Sequence, residues 1–272
     1  MSGQSLGELI FIGLGLYDEL GLSLRGQAEA RACDYVFAEL YTSIMPGIRV
    51  EKLTRVISRP VEVLSRIDVE DRAEEKILSK ARAGKVAFLV AGDPMVATTH
   101  VDLRLRAERA GIRTRIIHGA SVASAAAGVT GLQSYKFGRT LTVPLPHTGE
   151  FPESVYSGLK RNFEAGLHSL ILLEVDVESH RRVTIPQALE QLLSFSARTT
   201  DGLVTPKTLV IGLARLEAPD MIARAGPVSD LTQMDFGDPP YCLLLPNKLH
   251  FVEAEALQVF CGASRGLVGS TN

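Results

Sequence analysis

KVAFLVAGDPMVATTH, the stretch from Lys85 to His100, carries the clearest structural signal in the sequence. Its apolar run, Val86–Val90, is typical of a strand that is buried on both faces of a parallel sheet. Gly92-Asp93-Pro94 cannot extend that strand, because glycine tolerates unusual backbone angles and proline has no N–H to donate. Asp93 is therefore expected at the carboxyl end of a parallel strand, where open α/β sheets bind ligands, although a purely structural turn is the alternative.

Two further strand ends carry small, turn-forming residues. A β-rich run from residue 8 closes on Gly13 and Gly15, and the strand Arg113–Ile117 leads into Gly119-Ala120-Ser121. The first is not a dinucleotide-binding GxGxxG, because Asp18 replaces the third glycine, which disfavours a dinucleotide oxidoreductase. We expect the three tips to converge on one crevice, and the sequence therefore predicts a binding site built from Gly13–Leu16, Gly92–Val96 and Gly119–Val122.

Strand and helix signals alternate along the chain, which predicts a mostly parallel sheet with helices on its faces. Thr98 or Thr99 is expected to be the N-cap of a helix that runs through Arg109, and a charged helix is expected over Val69–Arg82. The pattern restarts near residue 134, so we predict two domains, 1–134 and 135–272. The further predicted elements are strands at Asp34–Glu39, Val61–Leu64, Leu141–Val143, His168–Val175, Thr208–Ala214 and Tyr241–Leu245, helices at Val122–Ala127, Pro152–Ala165, from Pro186 and at His250–Phe260, and a loop holding Pro144, Pro146, His147 and Gly149.

Composition excludes several classes of protein. The chain has 272 residues, 46% of them hydrophobic and 22% charged, which is enough apolar material for a sizeable core. Its formal charge of −2 gives no general attraction to nucleic acid or to anionic membranes. The three cysteines are far apart, which argues against zinc and disulfides, and no apolar run approaches about 18 residues. We expect a cytoplasmic, soluble protein with no metal, membrane or nucleic-acid partner.

Several short motifs resemble functional ones but lack the residues that the function requires. Asp235-Phe236-Gly237 imitates the magnesium-binding triplet of kinases, but no glycine-rich phosphate loop or His-Arg-Asp segment accompanies it. We interpret it as a turn before the last strand. None of the six histidines pairs with another at helical metal-ligand spacing, so each is interpreted as a surface or packing residue. No His-Asp or Cys-His constellation stands out.

Five arginines cluster on one predicted helix and the strand that follows it. The simpler interpretation is a solvated basic face, and the alternative is a docking surface for an acidic protein or RNA. The five are Arg104, Arg106, Arg109, Arg113 and Arg115.

Taken together, the longer motifs resemble a known family. IGLG at Ile12, AGDP at Ala91 and GASV at Gly119 are similar to the tetrapyrrole methylase-like class of S-adenosylmethionine methyltransferases. Within that class the match narrows to the diphthine synthases. The stretches that carry the closer resemblance are GLGLYD (13–18), AELYTS (38–43), GDPMVATTH (92–100), YKFG (135–138) and DFGDPP (235–240).

The resemblance implies a fold, an activity and partners. The fold is two α/β domains with S-adenosyl-L-methionine in the cleft between them, the N-terminal sheet mostly parallel and the C-terminal sheet mixed, in a homodimer. The activity is repeated methylation of the amino group of the 3-amino-3-carboxypropyl-modified histidine of translation elongation factor 2, a step of diphthamide biosynthesis. By the family pattern the cofactor contacts fall on Leu16, Asp93, Val96, Ser121, Val122, Leu173, Leu216 and Tyr241.

A sulfonium methyl group is already activated, so its transfer to a neutral amine needs alignment more than a strong acid or base. Our hypothesis is that Asp93 binds a polar group of the cofactor instead of acting as the base, and no catalytic residue is identified. Tyr17, Tyr41 and Tyr135 are candidates for the substrate side, because aromatic faces attract an ammonium charge, with packing as the alternative role.

Two other functions remain open from the sequence. One is a methyltransferase of the same class that acts on a tetrapyrrole precursor. The other is a non-catalytic adaptor that keeps the cleft and binds a partner through the basic face.

Overall fold

Two α/β units make up the protein, of which the computed structural model describes residues 7–145, 151–199 and 201–269. By their internal contacts the units are Met1–Val122 and Ala123–Asn272. The domain boundary predicted from the sequence, between residues 134 and 135, lies later in the chain than this division. The predicted domains stay a prediction, because internal contacts do not establish which part of the chain folds on its own. Pro146, His147 and Gly149 of the predicted loop lie outside the described residues.

The first unit is built on a parallel five-stranded sheet. All four of its strand pairings are parallel, in the order β3-β2-β4-β1-β5. The strands are β1 Glu8–Gly13, β2 Tyr35–Glu39, β3 Glu62–Leu64, β4 Lys85–Val90 and β5 Arg113–Ile117.

The central strands of this sheet are buried on both faces, as the apolar run in β4 predicts. Leu9 and Phe11 pack on one face with Val86 and Phe88. The alternate residues of the same strands form a second core on the other face. A parallel sheet needs covering on both sides, and the helices of this unit supply it. They are α1 Leu24–Arg31, α2 Val50–Ile57, α3 Arg66–Glu70, α4 Ser79–Ala83 and α5 His100–Arg109.

The prediction of a single helix over Val69–Arg82 is wrong. A capping box, in which Ser65 and Asp68 satisfy each other's backbone N–H groups, begins α3 before that range. A π-helix, Glu74–Leu78, then separates α3 from α4. By contrast α5 begins where predicted, with Thr99 at the N-cap position, although it is the Thr98 hydroxyl that lies 3.5 Å from the backbone nitrogen of His100.

The second unit contains a mixed sheet in the order β11-β10-β12-β7-β6. Only the β6–β7 pairing is parallel among those described. The strands are β6 Leu141–Val143, β7 Ser169–Leu173, β10 Leu209–Ala214, β11 Ile222–Pro227 and β12 Tyr241–Leu245, with a separate hairpin of β8 Val175–Asp176 and β9 Arg181–Arg182. The helices are α6 Val122–Thr130, which begins at the division, α7 Glu153–Glu164, α8 Ile185–Thr199, α9 Val228–Leu231, α10 Phe251–Cys261 and α11 Arg265–Gly269.

The expected fold class is confirmed, with a parallel N-terminal sheet and a mixed C-terminal one. Two of the differences from the sequence prediction have a clear local reason. β11 was not expected, because its sequence, IARAGP, lacks a run of β-formers and ends in Gly-Pro. The strand predicted over His168–Val175 is interrupted at Glu174, whose carboxylate accepts a hydrogen bond from the Leu145 backbone at 2.6 Å.

Candidate active site

Three glycine-bearing strand tips meet at one edge of the first sheet. Gly15 and Gly92 exchange two backbone hydrogen bonds, of 3.3 and 2.7 Å, and both have positive φ. A Cβ atom added to Gly13 or to Gly119 would lie 2.6 Å from the carbonyl oxygen of Gly92. Because such a contact is prohibitively short, only glycine lets the tips after β1, β4 and β5 come this close. The predicted convergence of the three tips is therefore observed.

The order of the strands at this edge is the one that marks a ligand-binding edge in open α/β sheets. From β1 the chain continues to β2 and β3 on one side, whereas from β4 it crosses to β5 on the other side of β1. The connections after β1 and β4 thus leave the sheet in opposite directions. In open α/β sheets this arrangement opens a crevice at the carboxyl ends of the two strands.

Asp93 joins the tips through its buried carboxylate. The side chain is 6% exposed, its Oδ1 accepts the Met95 backbone N–H at 2.9 Å, and its Oδ2 accepts that of Gly119 at 3.3 Å. Oδ2 also lies 2.7 Å from Nδ1 of His118. An ionised carboxylate offers about four lone-pair positions, so the three partners leave room for one more donor. The contact between Asp93 and a cofactor stays a prediction.

The pairing of Asp93 with His118 contradicts the expectation that no His-Asp constellation exists. His118 was interpreted as a surface or packing residue, yet its side chain, 71% exposed, lies in hydrogen-bond contact with the buried acid. A signal was present in the sequence. Asp93 and His118 each follow a predicted strand closely, and the ends of parallel strands meet at the same edge.

The remaining predicted contacts of the first unit lie at the same edge. Leu16 follows β1 and is partly buried, and Val96 follows β4 and is 40% exposed. Ser121 and Val122 follow β5, and Ser121 is buried. Apolar side chains beside one hydroxyl and one carboxylate suit a ligand with an aromatic base and polar ribose and amino-acid groups, so these residues fit S-adenosylmethionine.

A second buried pair lies at the end of β2. Glu39 and His100 are essentially inaccessible, with Oε1 and Nε2 3.1 Å apart. The carboxylate also accepts the Thr42 hydroxyl at 2.6 Å and the backbone N–H groups of Tyr41 and Thr42. Burial raises the pKa of Glu39 and lowers that of His100 to about 4. The pair therefore anchors the loop after β2 to the start of α5.

The three tyrosines proposed for the substrate side differ in exposure. Tyr41 is buried, with the Arg66 guanidinium 5.3 Å from its ring centroid, which favours packing. Tyr17 is partly buried, while Tyr135 is 78% exposed. A substrate role for Tyr17 and Tyr135 stays a prediction.

In the second unit the other three predicted contacts share one end of the mixed sheet. Leu172 pairs with Cys242, so the next residues in register at that end are Leu173 and Tyr241. Ala214 pairs with Tyr241, which puts Leu216 just past the same end. All three residues are at least nine-tenths buried. Sequence analysis did not predict this common end.

Arg215 organises the loops around that end and was missed. Its buried guanidinium donates to the backbone carbonyls of Phe236, Asp238 and Asp220, and at 2.7 Å to the Asp220 carboxylate. Burial raises the pKa of Tyr241, whose hydroxyl donates to the Gly237 carbonyl. The kinase-like triplet Asp235–Gly237 lies outside helix and strand before β12, and the Gly237 N–H donates to the Asp235 carboxylate at 2.8 Å, which fits the predicted turn.

Arginines of the cluster form ion pairs and hydrogen bonds with neighbouring side chains. Arg115 lies 2.7 Å from Glu29 and 3.6 Å from Glu8, and Arg104 donates to the Thr114 hydroxyl. These contacts favour the simpler interpretation of a paired, solvated face.

The described residues contain neither a cluster of metal ligands nor a helix that could span a membrane. No group of three or more His, Cys, Asp or Glu side chains in the described ranges could hold a metal ion. In the same ranges every helix is too short or too polar to cross a bilayer.

Comparison with known proteins connects this geometry to a family. The model of the Tetrapyrrole (Corrin/Porphyrin) Methylases matches residues 8–205. The chain belongs to this family. It is 43% identical to the diphthine synthase of Methanothermobacter thermautotrophicus, over 96% of this chain and 98% of the relative. It is 44% identical to that of Methanocella arvoryzae, over 95% of this chain and all of the relative.

Solved structures agree. A crystal structure of diphthine synthase matches with a TM-score of 0.85 at 33% identity, covering 96% of this chain and 99% of that one. The resemblance predicted from the motifs is therefore confirmed, and family membership makes the chain a methyltransferase. The non-catalytic adaptor is not supported.

Proposed function

We propose that this chain is a diphthine synthase, an S-adenosylmethionine-dependent enzyme that repeatedly methylates an amino group on translation elongation factor 2. The acceptor is the amine of the 3-amino-3-carboxypropyl group carried by a modified histidine. The observation that carries the proposal is the full-length similarity, at 43–44% identity, to diphthine synthases. The converging glycine tips with one buried acid add independent support from geometry.

The cofactor contacts are proposed for both units. In the first unit Leu16, Asp93, Val96, Ser121 and Val122 would hold the cofactor at the carboxyl edge of the parallel sheet. In the second, Leu173, Leu216 and Tyr241 would contribute from the shared end of the mixed sheet. When bound, S-adenosylmethionine supplies an activated methyl group.

The task of the protein is then alignment and exclusion of water. Tips of strands are suited to alignment, because the glycines pack backbone against backbone and leave few side-chain rotamers to move. Backbone N–H and carbonyl groups at these tips can fix a ligand in one orientation without the entropy cost of ordering long side chains.

A tetrapyrrole precursor is the second candidate substrate. It is favoured by the match of residues 8–205 to the Tetrapyrrole (Corrin/Porphyrin) Methylases. The two substrates differ in kind. One is a flexible amine on a protein surface, and the other is a large planar macrocycle.

Transfer of a labelled methyl group separates the two candidates. Purified chain would be incubated with labelled S-adenosylmethionine and either elongation factor 2 carrying the unmethylated modification or a tetrapyrrole precursor. We expect label on elongation factor 2, whose mass should rise in steps of one methyl group, and no label on the macrocycle. Label on the macrocycle alone would reassign the substrate, and label on neither would contradict the proposal.

We further propose that the enzyme works as a cytoplasmic homodimer, an expectation that rests on the family resemblance. Light scattering during size-exclusion chromatography would measure the mass in solution. A mass near twice 29.4 kDa is expected, and a monomer at micromolar concentration would contradict it.

A further inference from the structure

The dyad of Asp93 and His118 has the form of an acid–base pair. The acid is buried and fixed by two backbone N–H groups, from Met95 and Gly119, so its position is set by the strand tips. The histidine lies 2.7 Å from it and reaches into solvent at the edge proposed to hold the cofactor. A buried carboxylate that orients an exposed imidazole is the arrangement by which enzymes prepare a histidine for proton transfer.

The hydrogen bonds of Asp93 decide which nitrogen of His118 carries the proton. Oδ1 and Oδ2 both accept backbone N–H groups, an arrangement that favours the ionised form of the carboxyl group. Nδ1 of the neutral imidazole must therefore donate to Oδ2, which leaves Nε2 with a free lone pair. Among the described residues, none is hydrogen-bonded to Nε2.

The reaction needs such a lone pair. An aliphatic amine is largely protonated near neutral pH, because the usual pKa of amino groups lies between about 8 and 10, and an ammonium nitrogen cannot attack a methyl group. We propose that His118 accepts this proton from the substrate ammonium group through Nε2. The proposal rests on the amine methylation proposed above and adds the residue that makes the amine nucleophilic.

Proton transfer and methyl transfer each break one bond and form one bond. Nε2 of His118 forms a bond to the proton, and the electron pair of the broken N–H bond stays on the substrate nitrogen. That pair forms the new N–C bond to the methyl group while the C–S bond breaks and its electrons remain on sulfur. The imidazolium then gives its proton to water, which its exposure allows. Each later methylation begins with a protonated amine again and repeats the cycle, which can run no further than three methyl groups, because the nitrogen then has no N–H.

Two other titratable groups near the ends of the sheets, His100 and Tyr241, are less suited to this role. His100 is 1% exposed and its Nε2 is held by Glu39, so it cannot meet a substrate on another protein. Tyr241 is nine-tenths buried and its hydroxyl proton is already donated to the Gly237 carbonyl. His118 combines exposure with an orienting acid.

The test uses the full-length chain and compares His118→Gln with His180→Gln, which changes an exposed histidine in the turn between β8 and β9. Single-turnover methylation of elongation factor 2 at saturating S-adenosylmethionine is expected to slow about 10²–10⁴-fold in His118→Gln and to be unchanged in His180→Gln. Affinity for S-adenosylhomocysteine, measured by calorimetry, should stay the same in both variants. Added imidazole should restore part of the rate to His118→Gly.

A second measurement does not depend on activity. The ¹⁵N spectrum of the neutral His118 imidazole should show a protonated Nδ1 and a bare Nε2, and Asp93→Asn should abolish that preference. A protonated Nε2 in the unchanged protein would overturn the proposal. So would normal methylation by His118→Gln, or a loss of rate matched by an equal loss of cofactor affinity. If the unchanged chain fails to methylate elongation factor 2, the proposed function fails instead, and the two failures are distinct.

Discussion

The missing side chains of Gly13 and Gly119 let three strand tips pack backbone against backbone. Gly119→Ala would bring a Cβ to 2.6 Å from the Gly92 carbonyl oxygen and 2.9 Å from the Gly13 carbonyl carbon. Because both neighbours are backbone atoms, the tips must move apart. We expect a loss of about 1–3 kcal/mol in the free energy of unfolding, measured by urea denaturation, together with weaker cofactor binding.

Gly128→Ala is the matched control. Gly128 lies inside α6 with nothing within 4 Å of its added Cβ, so alanine should be neutral or stabilise by up to about 1 kcal/mol. Equal effects of the two substitutions would show that the tips do not depend on glycine.

Asp93→Asn tests the acid itself. The amide keeps the size of the side chain but loses its charge, and its NH₂ group cannot accept the hydrogen bonds that one carboxylate oxygen now takes. We expect weaker binding of S-adenosylhomocysteine by calorimetry and a lower rate of methylation. Unchanged affinity with lost turnover would remove the predicted cofactor role of Asp93 and leave only its contact with His118.

Residue-level prediction succeeded where backbone chemistry is restrictive and failed where it depends on partners. Gly13, Gly92 and Gly119 could be placed at strand ends because few other residues suit such turns. The contact between Asp93 and His118 requires knowing that β4 and β5 flank β1, which sequence pattern alone does not give. Arg215 was missed for the same reason, since two of its three carbonyl partners, Phe236 and Asp238, come from a loop 21 and 23 residues away.

At the scale of elements, Glu253 holds the start of α10. Its buried carboxylate accepts hydrogen bonds from the backbone of Gln133 at 2.9 Å and of His250 at 2.8 Å, from Nε2 of His168 at 2.8 Å, and from Lys136. Burial alone would raise the pKa of Glu253, but these bonds outweigh it and hold the pKa at about 2. One side chain thus joins α10 to the segments before β6 and β7.

The depressed pKa of Glu253 predicts acid sensitivity. The usual pKa of an unfolded glutamate is about 4.3. The contribution of Glu253 to the free energy of unfolding is therefore complete above that pH and is lost as the pH falls toward about 2. This contribution to the free energy of unfolding is on the order of 3 kcal/mol. Glu253→Gln should lower stability at pH 7 and flatten the decline between about pH 5 and 2, as measured by urea denaturation across pH.

Glu255→Gln provides the comparison, because Glu255 lies on the same helix and is exposed. It should leave both the stability at pH 7 and its acid decline unchanged. An acid decline in Glu253→Gln as steep as that of the unchanged chain would contradict the role given to Glu253.

Strong periodic elements were predictable, and locally irregular ones were not. The buried strands β1, β4, β10 and β12 stand out as continuous apolar runs. The π-helix Glu74–Leu78 has no distinctive sequence signal, and the strand β11, whose local preference is weak, is fixed by its antiparallel pairing with β10.

At the scale of the molecule, five of the eight predicted cofactor residues lie at one edge of the parallel sheet, and three lie at one end of the mixed sheet. Binding of one cofactor by all eight residues therefore requires both units to respond to it. The division of the chain into two α/β parts followed from the restart of the sequence pattern. The grouping of Leu173, Leu216 and Tyr241 did not, because strand register in the mixed sheet is not visible in the sequence.

Hydrogen–deuterium exchange with and without S-adenosylhomocysteine tests this requirement most directly. We predict slower exchange at the three glycine tips, Gly13–Leu16, Gly92–Val96 and Gly119–Val122, and at the backbone around Leu173, Leu216 and Tyr241, with α10 unchanged. Protection confined to one unit, or found only away from these segments, would contradict the account.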